Sequence, residues 1–282
     1  MNVVPELPFR IIMITTGLSG IVKYLCHSNY VHVVGIIDCS TTEDSCVAYA
    51  RKLNIPYCIY KDMKYVEGYI SSLKPDMIII HKLPFLLPEC ILGIPPMGII
   101  NIHPSLLPKY RGANPWFWIY YNMEPFSGVS IHRVDKYADH GDILLQATFM
   151  IELGSPLHTL QKRVENCAID LLTQLFINWD TIVPKPQEME IGAECGGCID
   201  VNRLIDIRSM NIVRLWHILR GFPWILEKIC PDSGNRKFQV GNFRYCNVNQ
   251  VDIGHVIRVY TEDYLVCKEG VVELIRPVSC IL

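Results

Sequence analysis

The chain has 282 residues, of which 50% are hydrophobic and 19% are charged, and its formal net charge is -2. This length and composition predict a full globular core, in one large domain or in a large domain joined to a small one. The charge balance argues against a nucleic-acid partner held mainly by phosphate contacts. The longest apolar runs are too short for a membrane span, so no membrane association is expected.

Strand and helix patterns alternate through the first third of the chain. Residues 9–16 predict a first strand, and Gly17-Leu18-Ser19-Gly20 predicts a glycine turn that opens a helix. The backbone amides of Ser19 and Gly20 would then lie at a helix N-terminus, where they could bind an anion. A tight turn without a ligand is the alternative. The run lacks the third glycine of a dinucleotide fingerprint, and no acidic residue is expected to contact a ribose.

Further apolar runs predict strands over residues 30–38, 56–60 and 77–81, with helices over 42–53 and 66–73. This alternation predicts an α/β fold with a doubly wound, mostly parallel sheet. The next buried strand ends in a polar run that begins at Asn101. In such sheets ligands bind at the carboxyl edge, so this polar run is the first candidate site.

Asn101 and His103 are two residues apart, so they project to the same side of an extended strand. An amide donor can stabilise a developing oxyanion, and an imidazole can accept a proton near neutral pH. Pro104, Pro108 and Gly112 limit the backbone freedom of the following turn. On the spacing alone, an Asn or His at the end of a strand is more often an ordinary loop residue than a catalytic one.

The middle of the chain continues the pattern with an aromatic-rich segment over 114–121. A helix there must be buried on most of its circumference. Residues 127–134 and 143–151 predict two strands around a loop, and residues 156–179 predict a long helix with one apolar face.

Prolines and glycines between residues 181 and 197 indicate a domain boundary, which divides the chain into residues 1–190 and 191–282. The second part predicts an amphipathic helix over 205–221 and then short strands. Such a small, mainly β domain has little core of its own, so we expect it to pack on the first domain or on a second subunit of a homodimer. The large rings available for that contact are Trp216, Phe222, Trp224 and Phe238.

The twelve cysteines are scattered among apolar runs rather than arranged as a disulfide framework. The first residues do not have the pattern of a signal peptide. We therefore expect reduced thiols, no disulfide and a cytoplasmic location. Cys195-Gly196-Gly197-Cys198 has metal-ligand spacing, but no second pair completes a site, so no metal is expected.

Three runs of residues carry a resemblance to a known family. The run Asn101-Ile102-His103-Pro104-Ser105-Leu106-Leu107-Pro108-Lys109-Tyr110-Arg111-Gly112 resembles the N-x-H-x-S-L-L-P-x-Y-R-G pattern of the formyltransferases that use 10-formyltetrahydrofolate. Gly128-Val129-Ser130-Ile131-His132 and Asp139-His140-Gly141-Asp142-Ile143, the second of the form D-x-G-D-I, are similar to later elements of that family. The resemblance implies the family's Rossmann-like sheet with a small C-terminal, mainly β domain.

The resemblance also implies site residues. The implied catalytic residues are Asn101, His103 and Asp139, whereas Asp142 matches a structural acid. The residues implied to bind the folate are Leu83, Phe85, Leu86, Leu87, Tyr137 and Asp139; a helix-entry loop with a buried Phe85 is the alternative for the first four. The residues implied to bind the amine substrate are Ser19, Gly20, Ser105, Lys109, Tyr110, Arg111 and Asn114. The Leu107-Pro108 peptide bond is implied to be cis.

Within the family, the R-G-x-N-P-x-x-W run from Arg111 to Trp118 is most similar to the nucleotide-linked sugar N-formyltransferases. The implied acceptor is a dTDP-4-amino-4,6-dideoxyhexose such as dTDP-4-amino-4,6-dideoxyglucose, with the 3-amino isomer left open. A methionyl-tRNA formyltransferase is the alternative, although the 181–200 connector holds one lysine and no arginine. A formyltetrahydrofolate hydrolase and a non-catalytic folate-binding module also remain open.

Overall fold

A computed structural model describes residues 8–40, 45–188, 199–230 and 237–276 of the chain. These residues form two compact units. The first takes its residues from within 1–113, 127–149 and 162–195, and the second from within 114–126, 150–161 and 196–282. The predicted boundary at residue 190 falls among residues 189–198, outside the described residues.

The first unit contains a seven-stranded sheet. Its strands are β1 (Phe9–Thr15), β2 (Val31–Asp38), β3 (Tyr57–Ile59), β4 (Met77–His81), β5 (Ile99–His103), β6 (Phe126–Arg133) and β7 (Ile143–Met150). Their order across the sheet is β3-β2-β1-β4-β5-β6-β7. Strands β1 to β5 pair in parallel with their neighbours, whereas β5 and β6 are antiparallel. The predicted mostly parallel α/β sheet is confirmed.

Helices α1 to α4 alternate with the first five strands. The helices up to residue 177 are α1 (Gly20–His27), α2 (Ser45–Lys52), α3 (Met63–Leu73), α4 (Glu89–Leu92), α5 (Pro115–Tyr121) and α6 (Leu157–Ile177). Two of them begin at residues that cap the helix with their own side chains, because Ser19 accepts from the Val22 amide and Asp62 from the Tyr65 amide. The long helix predicted over 156–179 is confirmed as α6.

Strand β5 lies between two strands that fix its surroundings. Every residue of β4 is buried, as expected for a parallel strand covered on both faces. On the other side, the antiparallel register with β6 places Asn101 opposite His132 and His103 opposite Ser130. The polar end of β5 is therefore held between two ordered strands rather than on a free edge.

The second unit contains a four-stranded antiparallel sheet and short helices. Its elements beyond residue 198 are α7 (Val201–Leu204), α8 (Ile212–Gly221), α9 (Leu226–Ile229), β8 (Gln239–Tyr245), β9 (Val256–Val259), β10 (Glu262–Cys267) and β11 (Gly270–Ile275). The strand order is β8-β11-β10-β9, so the predicted small β domain is confirmed. The predicted helix start at residue 205 is wrong. Asn211 caps α8 by accepting from the Val213 and Arg214 amides, while the Ser209 hydroxyl donates to Asp206 in the turn before it.

The second unit buries most of the large rings that were expected to need a partner. Phe222 and Phe238 are buried. The Trp216 indole donates to the Gly241 carbonyl at 2.7 Å, and its ring lies 5.0 Å from that of Phe243. Trp224 alone of the four named rings is exposed, at 43%. Of the four rings, Trp224 is therefore the one whose exposure leaves it available for a contact, and the homodimer stays a prediction.

The described residues contain nine cysteines, and all nine are free thiols. Cys267 is buried, whereas Cys246 is exposed. Cys195, Cys198 and Cys280 lie outside the described residues. Across the same residues no helix is long and apolar enough to cross a bilayer, and no cluster of three or more potential ligands could hold a metal ion.

Gly128 in β6 provides a test of the sheet packing. A Cβ atom there would overlap the backbone carbonyl oxygen of Ala147 and the Leu106 side chain. We expect Gly128→Ala to lower the free energy of unfolding by about 1–3 kcal/mol, measured by urea denaturation. The matched control is Gly68→Ala in α3, where an added Cβ meets nothing within 4 Å. A Gly128→Ala variant as stable as this control would contradict the packing.

Candidate active site

Three polar side chains meet where β5 ends. Asn101 Nδ2 donates to Asp139 Oδ1 at 2.9 Å, and His103 Nδ1 lies 3.3 Å from Asp139 Oδ2. Asp139 comes from the loop after β6, and its side chain is only 14% exposed. The structure therefore brings together the three residues predicted to be catalytic, and their catalytic role stays a prediction.

His103 is held by the turn that follows β5. Its Nε2 lies 2.8 Å from the backbone carbonyl oxygen of Tyr110, which can only accept, so Nε2 carries a hydrogen. Burial lowers the pKa of His103 below its ordinary value, although the Asp139 carboxylate and the Tyr110 carbonyl oppose this shift. The imidazole is therefore neutral near neutral pH, and Nδ1 is its basic nitrogen.

Asp139 is the negative charge of the cluster. Burial by itself would raise the pKa of Asp139, but contacts with His132 and His103 and the Gly112 amide hold that pKa well below its ordinary value. The Gly112 amide donates to Asp139 Oδ2 at 2.7 Å. The carboxyl group is thus ionised, and a protonated imidazole beside it would be stabilised.

His132 is a fourth member of the cluster, and it was not among the predicted site residues. Its Nε2 lies 3.2 Å from Asn101 Nδ2 and 3.3 Å from Asp139 Oδ1. Its Nδ1 lies 2.8 Å from the Arg133 carbonyl oxygen, and the side chain is almost fully buried. The position of His132 depends on the register between β5 and β6, which sequence spacing does not give.

Gln187 is a second residue that the motifs did not identify. Its Nε2 donates to the carbonyl oxygens of Asp139 and Gly141, at 3.0 and 2.7 Å, and its Oε1 accepts from the Arg111 guanidinium. Asp139 has a left-handed φ of 46°, a strained conformation that persists only when surrounding contacts hold it. The hydrogen bonds of Gln187 provide such contacts, and we call them the loop brace. Arg111 is buried and donates to Gln187, so it takes part in this brace, and its predicted contact with the substrate stays a prediction.

The loop brace leads to a prediction for Gln187→Ala. Loss of the Gln187 amide leaves two part-buried carbonyl groups without this donor and loosens Asp139. We expect kcat to fall by about tenfold, because one-ångström errors in positioning are costly. Steady-state kinetics beside Gln161→Ala, an exposed position on α6, would measure it. Equal rates for the two variants would contradict the brace.

The side chains predicted to bind the folate differ in how exposed they are to a ligand. The Leu87 side chain belongs to the hydrophobic core together with Ile91, so a folate contact of this residue would have to come from its backbone, and that contact stays a prediction. Leu83 and Phe85 pack against the same core, and the Phe85 ring lies 4.6 Å from that of Tyr60. Leu86 and Tyr137 are each 56% exposed, so their side chains remain available to a ligand.

Several predicted substrate residues have internal roles. Ser105 is fully buried and its hydroxyl donates to the Lys109 carbonyl at 2.7 Å, while the Tyr110 side chain is buried. These contacts stabilise the turn, and the predicted substrate contacts of Ser105 and Tyr110 stay predictions. Lys109 and Asn114 are exposed, and Asn114 is the first residue of a segment in the second unit. The Leu107-Pro108 bond is cis, as predicted.

The predicted anion site at the start of α1 is occupied by the chain itself. The Gly20 amide donates to the Glu165 carboxylate, and the Ser19 hydroxyl caps α1. This arrangement corrects the expectation that the Gly20 amide is open to a substrate anion. Asp38, the last residue of β2, also has internal partners, since its Oδ1 accepts from the Gly17 and Ser40 amides. The expectation that no acidic residue contacts a ribose stays a prediction.

Comparison with known proteins identifies similar chains. The family model for formyl transferase matches residues 61–175. A methionyl-tRNA formyltransferase of Helicobacter acinonychis is 38% identical over 231 residues, which are 79% of this chain and 72% of that protein. One of Ehrlichia chaffeensis is 28% identical over 223 residues, 78% of this chain and 70% of that protein. Matches to other proteins of this name in Ehrlichia span about half of their length.

Solved structures share the fold at low identity. A Mycobacterium tuberculosis protein inferred to be a sugar N-formyltransferase has a TM-score of 0.58 at 18% identity, with 75% of this chain and 86% of that chain covered. HypX from Aquifex aeolicus, in complex with tetrahydrofolic acid, has a TM-score of 0.63 at 14% identity, with 95% of this chain and 43% of that chain covered. At these identities the likeness concerns the fold alone.

Proposed function

This chain belongs to the formyl transferase family, and we propose that it moves a formyl group from 10-formyltetrahydrofolate to the amine of a nucleotide-linked amino sugar. It is an enzyme that transfers a formyl group, and its formyl donor is folate-derived. The observation that carries the proposal is the contact of Asp139 with both Asn101 and His103 at the carboxyl edge of the sheet. An amide donor, a buried neutral imidazole and an anion are the groups that amine formylation requires.

Each group has a defined task in this proposal. The amine nitrogen attacks the formyl carbon, and an Asn101 N–H stabilises the oxygen of the tetrahedral intermediate. His103 Nδ1 accepts the proton that the amine loses, and Asp139 stabilises the resulting imidazolium. When the carbon–nitrogen bond to the folate breaks, the same proton passes to the departing folate nitrogen. The products are the N-formyl amine and tetrahydrofolate.

The choice of a sugar acceptor is supported by sequence features rather than by the site. The Arg111 to Trp118 run resembles the nucleotide-linked sugar enzymes, and a dTDP-4-amino-4,6-dideoxyhexose is the acceptor we propose. Lys and Arg residues in 199–282 are nearly balanced by Asp and Glu. A tRNA acceptor would call for a basic surface there, since phosphate contacts dominate nucleic-acid affinity.

Methionyl-tRNA is the second candidate acceptor. The relatives of Helicobacter and Ehrlichia described above carry that activity in their names and match more than two thirds of their length. The same three polar groups would formylate the amino group of methionyl-tRNA without change. Acceptor choice therefore has to be measured.

A parallel acceptor assay tests the proposal. The enzyme is incubated with 10-formyltetrahydrofolate and, separately, with dTDP-4-amino and dTDP-3-amino sugars, a UDP-amino sugar, methionyl-tRNA or no acceptor. We expect mass spectrometry to detect formylation of the dTDP-4-amino sugar, with His103→Ala as the control for enzyme dependence. Formylation of methionyl-tRNA alone would overturn the sugar proposal, and formate release without any acceptor would indicate a hydrolase.

The homodimer and the cytoplasmic location form part of the same proposal. A folate-dependent transfer to a nucleotide sugar would take place where both substrates are made, in the cytoplasm. Sedimentation velocity at micromolar protein tests the assembly, and a single monomeric species would exclude a stable dimer.

A further inference from the structure

His81 is a buried histidine that the proposed reaction does not use. It is the last residue of β4, and 7% of it is exposed. The chain runs outward from β1 to β3 and then returns to β4, so β1 and β4 flank the point where the strand order reverses. In open α/β sheets the crevice at the carboxyl ends of such strands binds the ligand. The register pairs His81 with Thr15, the last residue of β1, so His81 lies at that crevice.

The hydrogen bonds of His81 leave one ring nitrogen available. Its Nδ1 lies 3.4 Å from the Ser19 hydroxyl, which caps α1 by accepting from the Val22 amide. The Ser19 hydrogen is therefore directed to Nδ1, and a neutral ring whose Nδ1 accepts carries its hydrogen on Nε2. Burial and the charge of the adjacent Lys82 lower the pKa of His81 to about 3, so the ring is neutral near neutral pH. Within the described residues Nε2 has no hydrogen-bond partner, and it is not one of the polar atoms that are sealed without a partner, so it is open to a ligand.

His81 and the predicted folate loop lie on opposite faces of the sheet. Ile80 pairs with Asn101 across β4 and β5, and neighbouring residues of a strand project to opposite faces. Ile80 belongs to the core cluster against which Phe85, predicted to bind the folate, also packs. His81 projects to the other face, where the Ser19 cap of α1 lies. This placement favours a contact with the amine acceptor over a contact with the folate.

The charges around this crevice favour an uncharged part of the acceptor. The Gly20 amide at the start of α1 is a group that binds phosphates in other proteins, but here it donates to the Glu165 carboxylate. Lys82, the residue after His81, is exposed and carries the charge opposite to that of Glu165. A neutral imidazole N–H beside one anion and one cation suits a hydroxyl oxygen, which accepts a hydrogen bond and carries no net charge.

We propose that His81 binds the acceptor sugar, with Nε2–H donating to a hydroxyl oxygen of the ring that carries the amine, while Asn101 and His103 face the amine itself. The inference rests on the proposed transfer to a nucleotide-linked amino sugar, and it assigns a sugar subsite at the carboxyl ends of β1 and β4. His81 lies outside the three runs that resemble the family and outside the predicted substrate residues.

Two amide replacements separate ligand binding from packing. His81→Asn keeps an acceptor near the Nδ1 position for Ser19 but has no group at the Nε2 position, whereas His81→Gln places an amide N–H near Nε2. We expect kcat/KM for the dTDP-4-amino sugar to fall by about tenfold in His81→Asn and by less than about threefold in His81→Gln, with KM for 10-formyltetrahydrofolate unchanged in both. A purely structural role predicts the reverse order, because Asn restores the Ser19 contact. An Asn variant at least as active as the Gln variant, with both folded by thermal unfolding, would overturn the proposal.

Acceptors that lack one hydroxyl identify the contact. We expect one of the 2-deoxy and 3-deoxy analogues of the dTDP-4-amino sugar to lower kcat/KM of the native enzyme by about tenfold. The native enzyme and His81→Asn should use that analogue equally well, because the missing hydrogen bond cannot be lost twice. Additive losses with both analogues would overturn the proposal. Formylation of the sugar without these losses rejects the subsite alone, whereas a native enzyme that formylates no amino sugar rejects the proposed function and the subsite together.

Discussion

Asp139→Asn is expected to lower kcat by about 10²–10⁴-fold, one of the two largest effects of a single substitution in this chain. The carboxylate accepts from Asn101 and from the Gly112 amide, and it lies beside His103. A neutral amide cannot stabilise the imidazolium that forms when His103 accepts the amine proton. Its NH₂ group would also face donors rather than acceptors. Steady-state kinetics with saturating donor and acceptor would measure the loss.

Asp142→Asn is the matched control, because Asp142 is the other acid of the same motif. We expect this variant to keep most of the activity, since the contacts with Asn101 and His103 belong to Asp139. A larger loss in Asp142→Asn than in Asp139→Asn would transfer the proposed role to Asp142. Circular dichroism of both variants would show whether either loss reflects unfolding.

Asp139 also predicts how stability depends on pH. Its pKa is lowered in the folded chain, so the folded state favours the carboxylate more than the unfolded state does. The stabilisation is present above the unfolded pKa, about 4, and is lost as the pH falls further through the folded value. We expect urea denaturation to show the native enzyme losing an increment of stability below about pH 4 that Asp139→Asn lacks. Parallel pH profiles for the two proteins would contradict this assignment.

The sheet could be predicted because each of its strands has a short apolar pattern that is visible in the local sequence. The continuous apolar run predicted β4, and the two-residue spacing of Asn101 and His103 predicted that both side chains project to the same side of β5. Tertiary packing does not override such short patterns. The start of α8 could not be predicted in this way. Residues 205–211 have a compatible periodicity, yet the turn built on Asp206 and the cap at Asn211 interrupt it.

The candidate site also contains residues that local sequence patterns predict and residues that they do not. Its proposed catalytic residues were predicted from motifs, whereas the residues that position them lie far away in the chain. His132 is 31 residues from Asn101, and Gln187 is 48 residues from Asp139. Glu165 is 145 residues from the Gly20 amide that it accepts from. Such contacts depend on strand register and helix packing, so no local spacing in a single sequence encodes them.

His103 is the second position at which a very large effect is expected. His103→Ala removes the proposed proton acceptor, so kcat should fall by about 10²–10⁴-fold. The change also leaves the buried Tyr110 carbonyl without its donor, which costs about 1–3 kcal/mol of stability. A fall in activity alone therefore cannot distinguish a catalytic loss from a folding loss, and thermal unfolding must be measured beside the kinetics.

His103→Gln resolves that ambiguity. A Gln amide can donate to the Tyr110 carbonyl as the imidazole Nε2 does, but it cannot accept a proton near neutral pH. We expect this variant to recover stability relative to His103→Ala while remaining as inactive. In the native enzyme, the lowered pKa of His103 keeps the ring neutral to below pH 6.5, so the acid limb of kcat should lie below that value. Near-normal kcat in His103→Gln would show that the amine proton leaves by another route.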